Sequence, residues 1–270
     1  MHLDNFKNKT VLITGAASGI GRGLAQYAAT LDMNIALMDL NVDGLQETQA
    51  LIPDASSLIL ECDVSNFDQY SKCKAEINRE FGVVHVLFNN AGIFLEGRGW
   101  KVTTKNWARI IDVNLMSVIN GQNLFVEDMI QSGENCHVVN TASMAGLIVA
   151  PALSPYTTTK HAVVGLTRSL YLDLEDEKVT VSVLCPGFIK TNITEREHSG
   201  LNLSEKALDN HESAQASREW LAENVKDAMD PKDFAQFVFK NMDKKAFWIV
   251  NDPELVHMYK EYSKEITTLL

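Results

Sequence analysis

The sequence predicts an α/β protein with a doubly wound, mostly parallel sheet. Three observations carry that expectation. Short β-rich runs alternate with longer helical patterns along most of the 270 residues, which is the signature of βαβ units. Several runs, among them VLIT, VHVLF and VTVSVL, are apolar on both faces, as a sheet covered by helices on either side requires. A glycine-rich turn follows the first run and opens a helix, an arrangement found in nucleotide-binding sheets. With no internal repeat and no Pro-, Gly- or Ser-rich linker, residues 1–270 read as one domain, long enough to bury its own core.

The first strand is residues 10–14. In VLITGAASGIG, Gly15, Gly19 and Gly21 lie between it and a helix expected from about Arg22. Glycines let the backbone turn sharply and approach a pyrophosphate, whose charge then meets the amides and positive dipole end of the helix. The spacing is GxxxGxG, and a plain glycine-rich turn has the same look. Asp39, closing the second strand (residues 34–39) and 39 − 21 = 18 residues past Gly21, adds to it. An acid there can accept from the adenosine ribose hydroxyls and would repel the extra phosphate of NADP. Leu40 and Asn41 bring no cation, so NAD is the expected dinucleotide. Taken alone, Asp39 is also an ordinary turn residue, and Arg22 is a cation near enough to the loop to contact a phosphate.

The third and fourth strands are residues 57–62 and 84–89. NNAG, residues 89–92, ends the fourth. Asn89 and Asn90 either brace the carboxyl edge of the sheet or form a plain turn, while Ala91 and Gly92 leave room for a cofactor. In TTKNWARIIDVNL, Trp107, Ile110, Ile111 and Asn114 share a helical face. A buried amide there needs partners. It is either a satisfied core residue or an anchor for an ordered water in a proton path.

The fifth strand, residues 136–141, runs into Ser143, at the sheet edge where open α/β sheets bind ligands. Its hydroxyl can hold a substrate oxygen or serve only a loop. In SPYTTTKHAVVGLTRSL, Tyr156 and Lys160 are four apart on a helix, so they share a face. A tyrosine with a pKa near ~10 is a poor base at neutral pH, and a neighbouring ammonium and a cationic nicotinamide would both favour the phenolate. Lowering it by about three units takes roughly 4 kcal/mol. His161 reads as a helix-face residue.

The sixth strand is residues 180–185. The polar stretch 190–231, with scattered Leu201, Leu203, Leu208, Trp220 and Leu221, predicts two short amphipathic helices, as a lid over the site or a solvated insertion. Residues 247–250 make a last strand, followed by a helix through Tyr262.

Composition excludes other classes. The chain carries 24 basic and 35 acidic residues, net charge −11, with no Lys/Arg cluster, against a nucleic-acid partner. MHLDNFKNKT does not read as a signal peptide or anchor, and no apolar run reaches the roughly 18 residues of a membrane span. A cytoplasmic protein is expected. Cys62, Cys73, Cys136 and Cys185 are far apart without CxxC pairing, so no metal site and no disulfide framework is expected. Asn192 and Asn202 lie in NxT and NxS strings, which a cytoplasmic chain would leave unglycosylated.

Taken together, TGAASGIG (residues 14–21), Asp39, Asp63 with Val64, NNAG, Asn114, Ser143, Tyr156, Lys160 and the PG at Pro186 and Gly187 resemble the short-chain dehydrogenase/reductase family, in its shorter, non-extended branch. The likeness covers residues 6–191. It implies a Rossmann fold with seven parallel strands, a homo-oligomer, and interconversion of a secondary alcohol and a ketone with NAD. By the same resemblance, Tyr156 is the general acid/base, and Ser143 holds the carbonyl or hydroxyl oxygen. Lys160 binds the nicotinamide ribose and lowers the tyrosine's pKa, and Asn114 completes a proton relay. Gly15, Ser18, Gly19, Ile20 and Gly21 cradle the pyrophosphate. Asp63 takes the adenine amino group, with Val64 beside the ring. Asn90, Ala91 and Gly92 lie along the cofactor, and Ile189 and Thr191 follow the PG turn at its carboxamide end.

Two departures stand out. Thr159 replaces the serine common before the lysine. The C-terminal KKAFWIVNDPELVHMYKEY lacks the glycine-rich close of the acyl-carrier-protein reductases, which argues against fatty-acid synthesis and leaves tetramer or dimer open. An NADP-dependent 3-oxoacyl or other carbonyl reductase would carry a basic residue near position 40. A dinucleotide-sensing binding protein without turnover would need no Tyr156–Lys160 pair. Loops 94–100, 145–153 and the stretch after Lys190 should choose the substrate, their apolar residues leaning toward a hydrophobic or ring-containing alcohol.

Overall fold

The computed structural model describes residues 5–193, 199–201, 204 and 208–267; Asn202 and Leu203 lie outside them. Strands β1 (Thr10–Thr14), β2 (Asn34–Asp39), β3 (Ser57–Glu61), β4 (Val84–Asn89), β5 (Cys136–Thr141), β6 (Val179–Leu184) and β7 (Trp248–Ile249) form one parallel sheet of seven strands, ordered β3-β2-β1-β4-β5-β6-β7. The chain starts in the middle, walks out to β3 and returns beside β1 as β4. A crevice therefore opens at the carboxyl ends of β1 and β4, where strand order reverses.

Alternation along each strand fills both faces. Val11, Ile13, Ile35, Leu37 and Phe88 pack with helices α1 (Gly19–Ala29) and α8 (Pro231–Asp243). Leu12, Ala36, Met38, Leu87 and Val138 pack with α3 (Phe67–Phe81) and α5 (Ser117–Gln131). The double-sided apolar runs are thus a sheet with no wet face. Helices α2 (Val42–Ala50), α4 (Thr104–Ile111), α6 (Ser154–Asp173), α7 (Glu212–Lys226) and α9 (Pro253–Thr267) are the remaining α-helices among the described residues. All four cysteines are free and buried.

Some boundaries differ from the sequence expectation for identifiable reasons. Helix α1 starts at Gly19, not near Arg22, with Ser18 extended at φ −157° before it. The turn closes early because Gly21 sits inside the first helical turn, where a Cβ would lie 2.0 Å from the Gly15 carbonyl oxygen. Strand β3 ends at Glu61, one residue before expectation, and β6 lies one residue earlier than expected because Val179 pairs with Cys136. Strand β7 keeps only Trp248 and Ile249, the two residues that pair with β6. Within stretch 190–231 only α7 forms among the described residues; Leu201 instead packs with Phe94, Leu153 and Tyr156.

Helices α1 and α8 meet closely because Gly23 has no side chain: a Cβ there would lie 2.3 Å from the Pro231 carbonyl oxygen. Pro231 occupies the first turn of α8, and the Asp230 carboxylate caps it by accepting from Lys232 N at 2.8 Å, both favourable at a helix start. Gly23→Ala should destabilise the protein by about 1–3 kcal/mol through overpacking. Gly165→Ala is the matched control: on α6 a Cβ meets nothing within 4 Å, so helix propensity should stabilise by up to about 1 kcal/mol. Urea midpoints moving in the same direction for both variants would refute the packing argument.

A buried polar ladder ties the sheet to α6. Asn89 Nδ2 donates to Asn140 Oδ1 (2.9 Å), Asn140 Nδ2 to Thr167 Oγ1 (3.0 Å), and Thr167 Oγ1 to the Val163 carbonyl (2.6 Å). Every link is buried, where satisfied polar groups rigidify and unsatisfied ones are costly. At the far edge, Ile189 pairs with Met229, and Lys190 N donates to the Met229 carbonyl at 3.0 Å, so the excursion carrying α7 departs and returns at one place.

Candidate active site

The crevice above β1 and β4 is a cavity of about 430 Å³, within the usual range for small-molecule sites. All the site residues expected from sequence lie on its walls except Gly21 and Asn114. Gly21 packs underneath, against the Gly15 carbonyl, and Asn114 sits behind Ile93.

One end of the crevice is built from the β1–α1 turn. Gly15 adopts φ +70°, in the left-handed region, with its Cβ position 2.9 Å from Ala91 Cα; only glycine fits there without strain. Thr14 Oγ1 accepts from Asn90 N (2.9 Å) and Ala91 N (3.0 Å), and Asn90 Nδ2 donates to the Thr14 carbonyl (3.0 Å). The NNAG segment is thereby bolted to the glycine turn. Among the described residues no side chain caps α1 at Ser18 and its first turn holds no acid, while Ser18, Gly19 and Ile20 line the crevice, so the positive end of the helix opens onto it. From above, Thr191 Cγ2 comes within 2.9 Å of the Gly19 Cβ position.

The Asp39 carboxylate accepts from Ala17 N (3.1 Å) and Asn41 N (3.0 Å), which orients it at the crevice rim. Arg22, the cation nearest the loop in sequence, is committed elsewhere. Its guanidinium donates to the Ala17 carbonyl (2.6 Å), Glu47 Oε2 (2.7 Å) and Thr48 Oγ1 (3.0 Å). Asp63 accepts from Ser65 N (3.0 Å), Ser65 Oγ (2.6 Å) and Arg109 Nη1 (3.0 Å). Burial pushes its pKa up, but the bonds from Ser65 and Arg109 outweigh this and leave it below the ordinary carboxylate value. Sequence reasoning missed Arg109. It spans from Asp63 to the Ser199 carbonyl (3.0 Å), and its distance along the chain left no local signal.

At the other end, α6 delivers Tyr156 and Lys160 beneath the β5–α6 connection. Ser143 caps a short 3₁₀ turn, Met144–Gly146, by accepting from Ala145 N at 3.1 Å. Its hydroxyl also hydrogen-bonds the Tyr156 phenol, which lowers that pKa, but burial prevails and pushes it up to about 12. The Phe94 ring packs edge-on against Tyr156, centroids 5.1 Å apart, a contact the sequence did not signal. Lys160 Nζ donates to the Thr141 carbonyl (2.8 Å) and lies 5.6 Å from the centre of the Tyr156 ring. Burial pulls the Lys160 pKa down to about 8. In the protein alone burial dominates both groups and shifts each pKa toward the neutral form, which for the tyrosine outweighs any lowering.

Asn114 is fully buried, in a π-helical turn (Asp112–Met116) between α4 and α5, a device frequent at functional sites. Its Oδ1 accepts from Ile93 N (2.8 Å), while Nδ2 donates to the Ile93 carbonyl (3.0 Å) and to Thr159 Oγ1 (3.1 Å). The amide thus holds the chain after NNAG to the residue beside Lys160, so Thr159 keeps a hydroxyl with a use. Between them, the Cβ position of Gly92 lies 3.4 Å from Asn114 Oδ1 and 3.5 Å from Lys160 Nζ.

Helix α7 reaches the crevice. Leu221 packs with the cluster containing Phe94, Leu153 and Tyr156. Trp220 meets Phe188 edge-on, centroids 5.0 Å apart. Both α7 residues line the crevice. Among the described residues no group of three or more His, Cys, Asp or Glu side chains is placed to hold a metal ion, and no helix is long and apolar enough to cross a membrane.

Comparison with known proteins gives matching results. A sequence profile of the family described as short chain dehydrogenase matches residues 9–202. The chain is 32% identical over 273 residues to the CLA biosynthesis dehydrogenase/reductase of Lactiplantibacillus plantarum, covering 98% of this chain and 96% of that protein. It is 33% identical over 203 residues to human 15-hydroxyprostaglandin dehydrogenase, NAD(+), covering 72% of each. A crystal structure of a short-chain dehydrogenase/reductase from Burkholderia phymatum in complex with NAD superposes with a TM-score of 0.90 at 33% identity, over 97% of this chain and 96% of that one.

Proposed function

The chain belongs to the short-chain dehydrogenase/reductase family, and from that premise we propose that it interconverts a secondary alcohol and a ketone with NAD. The observation that carries the reading is the convergence of Ser143, Tyr156 and Lys160 in one crevice at the carboxyl edge of the sheet.

The residues present fit a dinucleotide. Cβ atoms on Gly15 or Gly19 would fill the cradle at 2.9 Å from Ala91 and Thr191, and α1 begins where a pyrophosphate would rest. Asp39, fixed by two backbone amides, is assigned to the adenosine ribose. The commitment of Arg22 to Glu47 and Thr48 supports NAD over NADP. Asp63 and Val64 are assigned to the adenine, Ser18, Ile20, Asn90, Ala91 and Gly92 to the path between, and Pro186, Gly187, Ile189 and Thr191 to the far end. When bound, the dinucleotide supplies the hydride acceptor or donor.

The protein's own work is positioning and one proton. Ser143 Oγ holds the substrate oxygen beside the phenol. Tyr156 Oη takes the hydroxyl proton in oxidation and returns it in reduction. Lys160 Nζ binds the ribose end of the nicotinamide and favours the phenolate once a second positive charge shares the pocket. Asn114 fixes Ile93 and is assigned to anchor an ordered water that carries the proton onward from Lys160. Residues 190–231 act as the cover over the substrate. The reading includes a homo-oligomer in the cytoplasm; exposed Leu172 and Trp248 suit a face covered by a second copy.

Calorimetry with NAD and NADP on wild type and Asp39→Ala tests the cofactor assignment, followed by a secondary-alcohol panel monitored through NADH absorbance. NAD should bind wild type at least about tenfold more tightly, a difference of ~1.4 kcal/mol, and the variant should lose that ratio. NADP binding as tightly as NAD would overturn the assignment and favour a biosynthetic ketone reductase.

A further inference from the structure

Two ion pairs cross between the loop after NNAG and the α7 segment. Glu96, buried at 2% exposure, is paired with Arg218, whose Nε and Nη2 lie 2.7 and 2.5 Å from Oε1. Arg98 forks onto Asp209 through Nε–Oδ2 (2.9 Å) and Nη2–Oδ1 (3.0 Å), and its backbone amide donates to the same carboxylate at 2.9 Å. The Asp209 side chain is 3% exposed, and the Arg98 bonds hold its carboxyl far below the ordinary range. Ser217 Oγ adds a third tie, donating to the Pro151 carbonyl at 2.8 Å.

Buried ion pairs add little net stability, because desolvation offsets attraction. They do fix geometry: separating either pair would take the guanidinium away from a carboxylate that is only 2–3% exposed, which is costly. All three ties join segments that line one crevice, and Phe188 braces Trp220 from its other side. Helix α7 is therefore held at a set distance from Tyr156. The space between is bounded by Phe94, Leu153, Ile193 and Leu221, which cluster with Tyr156, and Trp220, against Phe188, continues the apolar wall along the same crevice.

We propose that Trp220 and Leu221, set in place by the Glu96–Arg218 and Arg98–Asp209 pairs, determine specificity by walling an apolar subsite beside Tyr156 that takes the alkyl or ring portion of the substrate. This deepens the reading given under Proposed function and rests on it. Glu96, Arg98, Asp209 and Arg218 are positioning residues. Trp220 and Leu221 touch the substrate.

The test is a homologous series from 2-butanol to 2-decanol with saturating NAD. In wild type, kcat/KM should rise about fourfold per added methylene until the wall is reached. Trp220→Ala, at a half-exposed residue, should cut the gradient below about twofold and leave NAD affinity unchanged. The double variant Glu96→Gln/Arg218→Met removes the ion pair and keeps the bulk of both side chains; it should raise KM for the long alcohols about tenfold with little change in kcat. A flat wild-type series with turnover of small alcohols, or a gradient untouched by Trp220→Ala, overturns the subsite while the dehydrogenase reading stands. If no alcohol is oxidised, the dehydrogenase reading fails instead, and calorimetry of 2-butanone to 2-decanone with the NADH-loaded protein decides the subsite. An affinity gradient lost in Trp220→Ala supports it, and equal affinities along the series refute it.

Discussion

Tyr156→Phe should lower kcat for alcohol oxidation by roughly 100- to 10,000-fold, the range for losing a positioned acid/base. Dinucleotide affinity and the unfolding midpoint should stay close to wild type, because the ring keeps its packing against Phe94 at 5.1 Å and only the hydroxyl is lost. The environment sets the accompanying pH dependence. Burial pushes this phenol up to about 12 while the Ser143 hydroxyl pulls the other way. Wild-type kcat/KM for oxidation should therefore rise with pH as the phenol deprotonates, and Ser143→Ala should move that rise to higher pH. Steady-state rates across pH 6–11 for the three proteins make the comparison (roughly the span between the histidine and lysine pKa ranges). A Tyr156→Phe enzyme within tenfold of wild type would mean the proton is handled by another group.

Lys160→Met should likewise cost at least about 100-fold in turnover, and it should alter how stability responds to alkali. The lysine's pKa in the folded protein is about 8, against an ordinary 10.5, because the ammonium is buried. Between those values the unfolded chain holds a proton that the folded chain has released, so folding becomes more favourable as pH rises through the window. Below it, the buried charge weighs fully against the native state. Wild type should therefore gain about 3 kcal/mol relative to Lys160→Met between pH 8 and 10.5. Urea unfolding of both proteins at the two ends of the window measures the difference. A constant gap would show that Lys160 keeps its charge, held by contacts stronger than its bond to the Thr141 carbonyl.

How far such features can be read in advance depends on whether their cause is local. Strands β1, β2, β4 and β5 match expectation residue for residue because alternation along a few positions records both covered faces. Tyr156 and Lys160 were legible because four-residue spacing on a helix is itself a statement of proximity. Asn114 stood out as a polar residue on an apolar face, but its π turn did not, since nothing in TTKNWARIIDVNL marks where the ladder slips. The partners of charged groups were illegible. Arg22 looked available to a phosphate, yet Glu47 and Thr48 from the next helix occupy it. Arg109 reaches Asp63 across 46 positions, and Arg98 reaches Asp209 across 111. Long-range pairing of this kind leaves no periodic trace. The same holds for the electrostatics of the Tyr156–Lys160 pair: spacing predicts that the two meet, whereas depth of burial determines what each does to its proton.

The joining of Ile189 to Met229 bears on how this chain can change over generations. A segment whose two ends are already hydrogen-bonded to each other closes a loop, and the entropy of closing a loop grows only with the logarithm of its length, by about 0.6 kcal/mol for each doubling. Residues between those ends that make no contact with the crevice can be inserted, deleted or exchanged while the register of the sheet stays as it is. The fold thus separates a sheet whose register is set elsewhere from a sleeve whose length and surface can be rewritten.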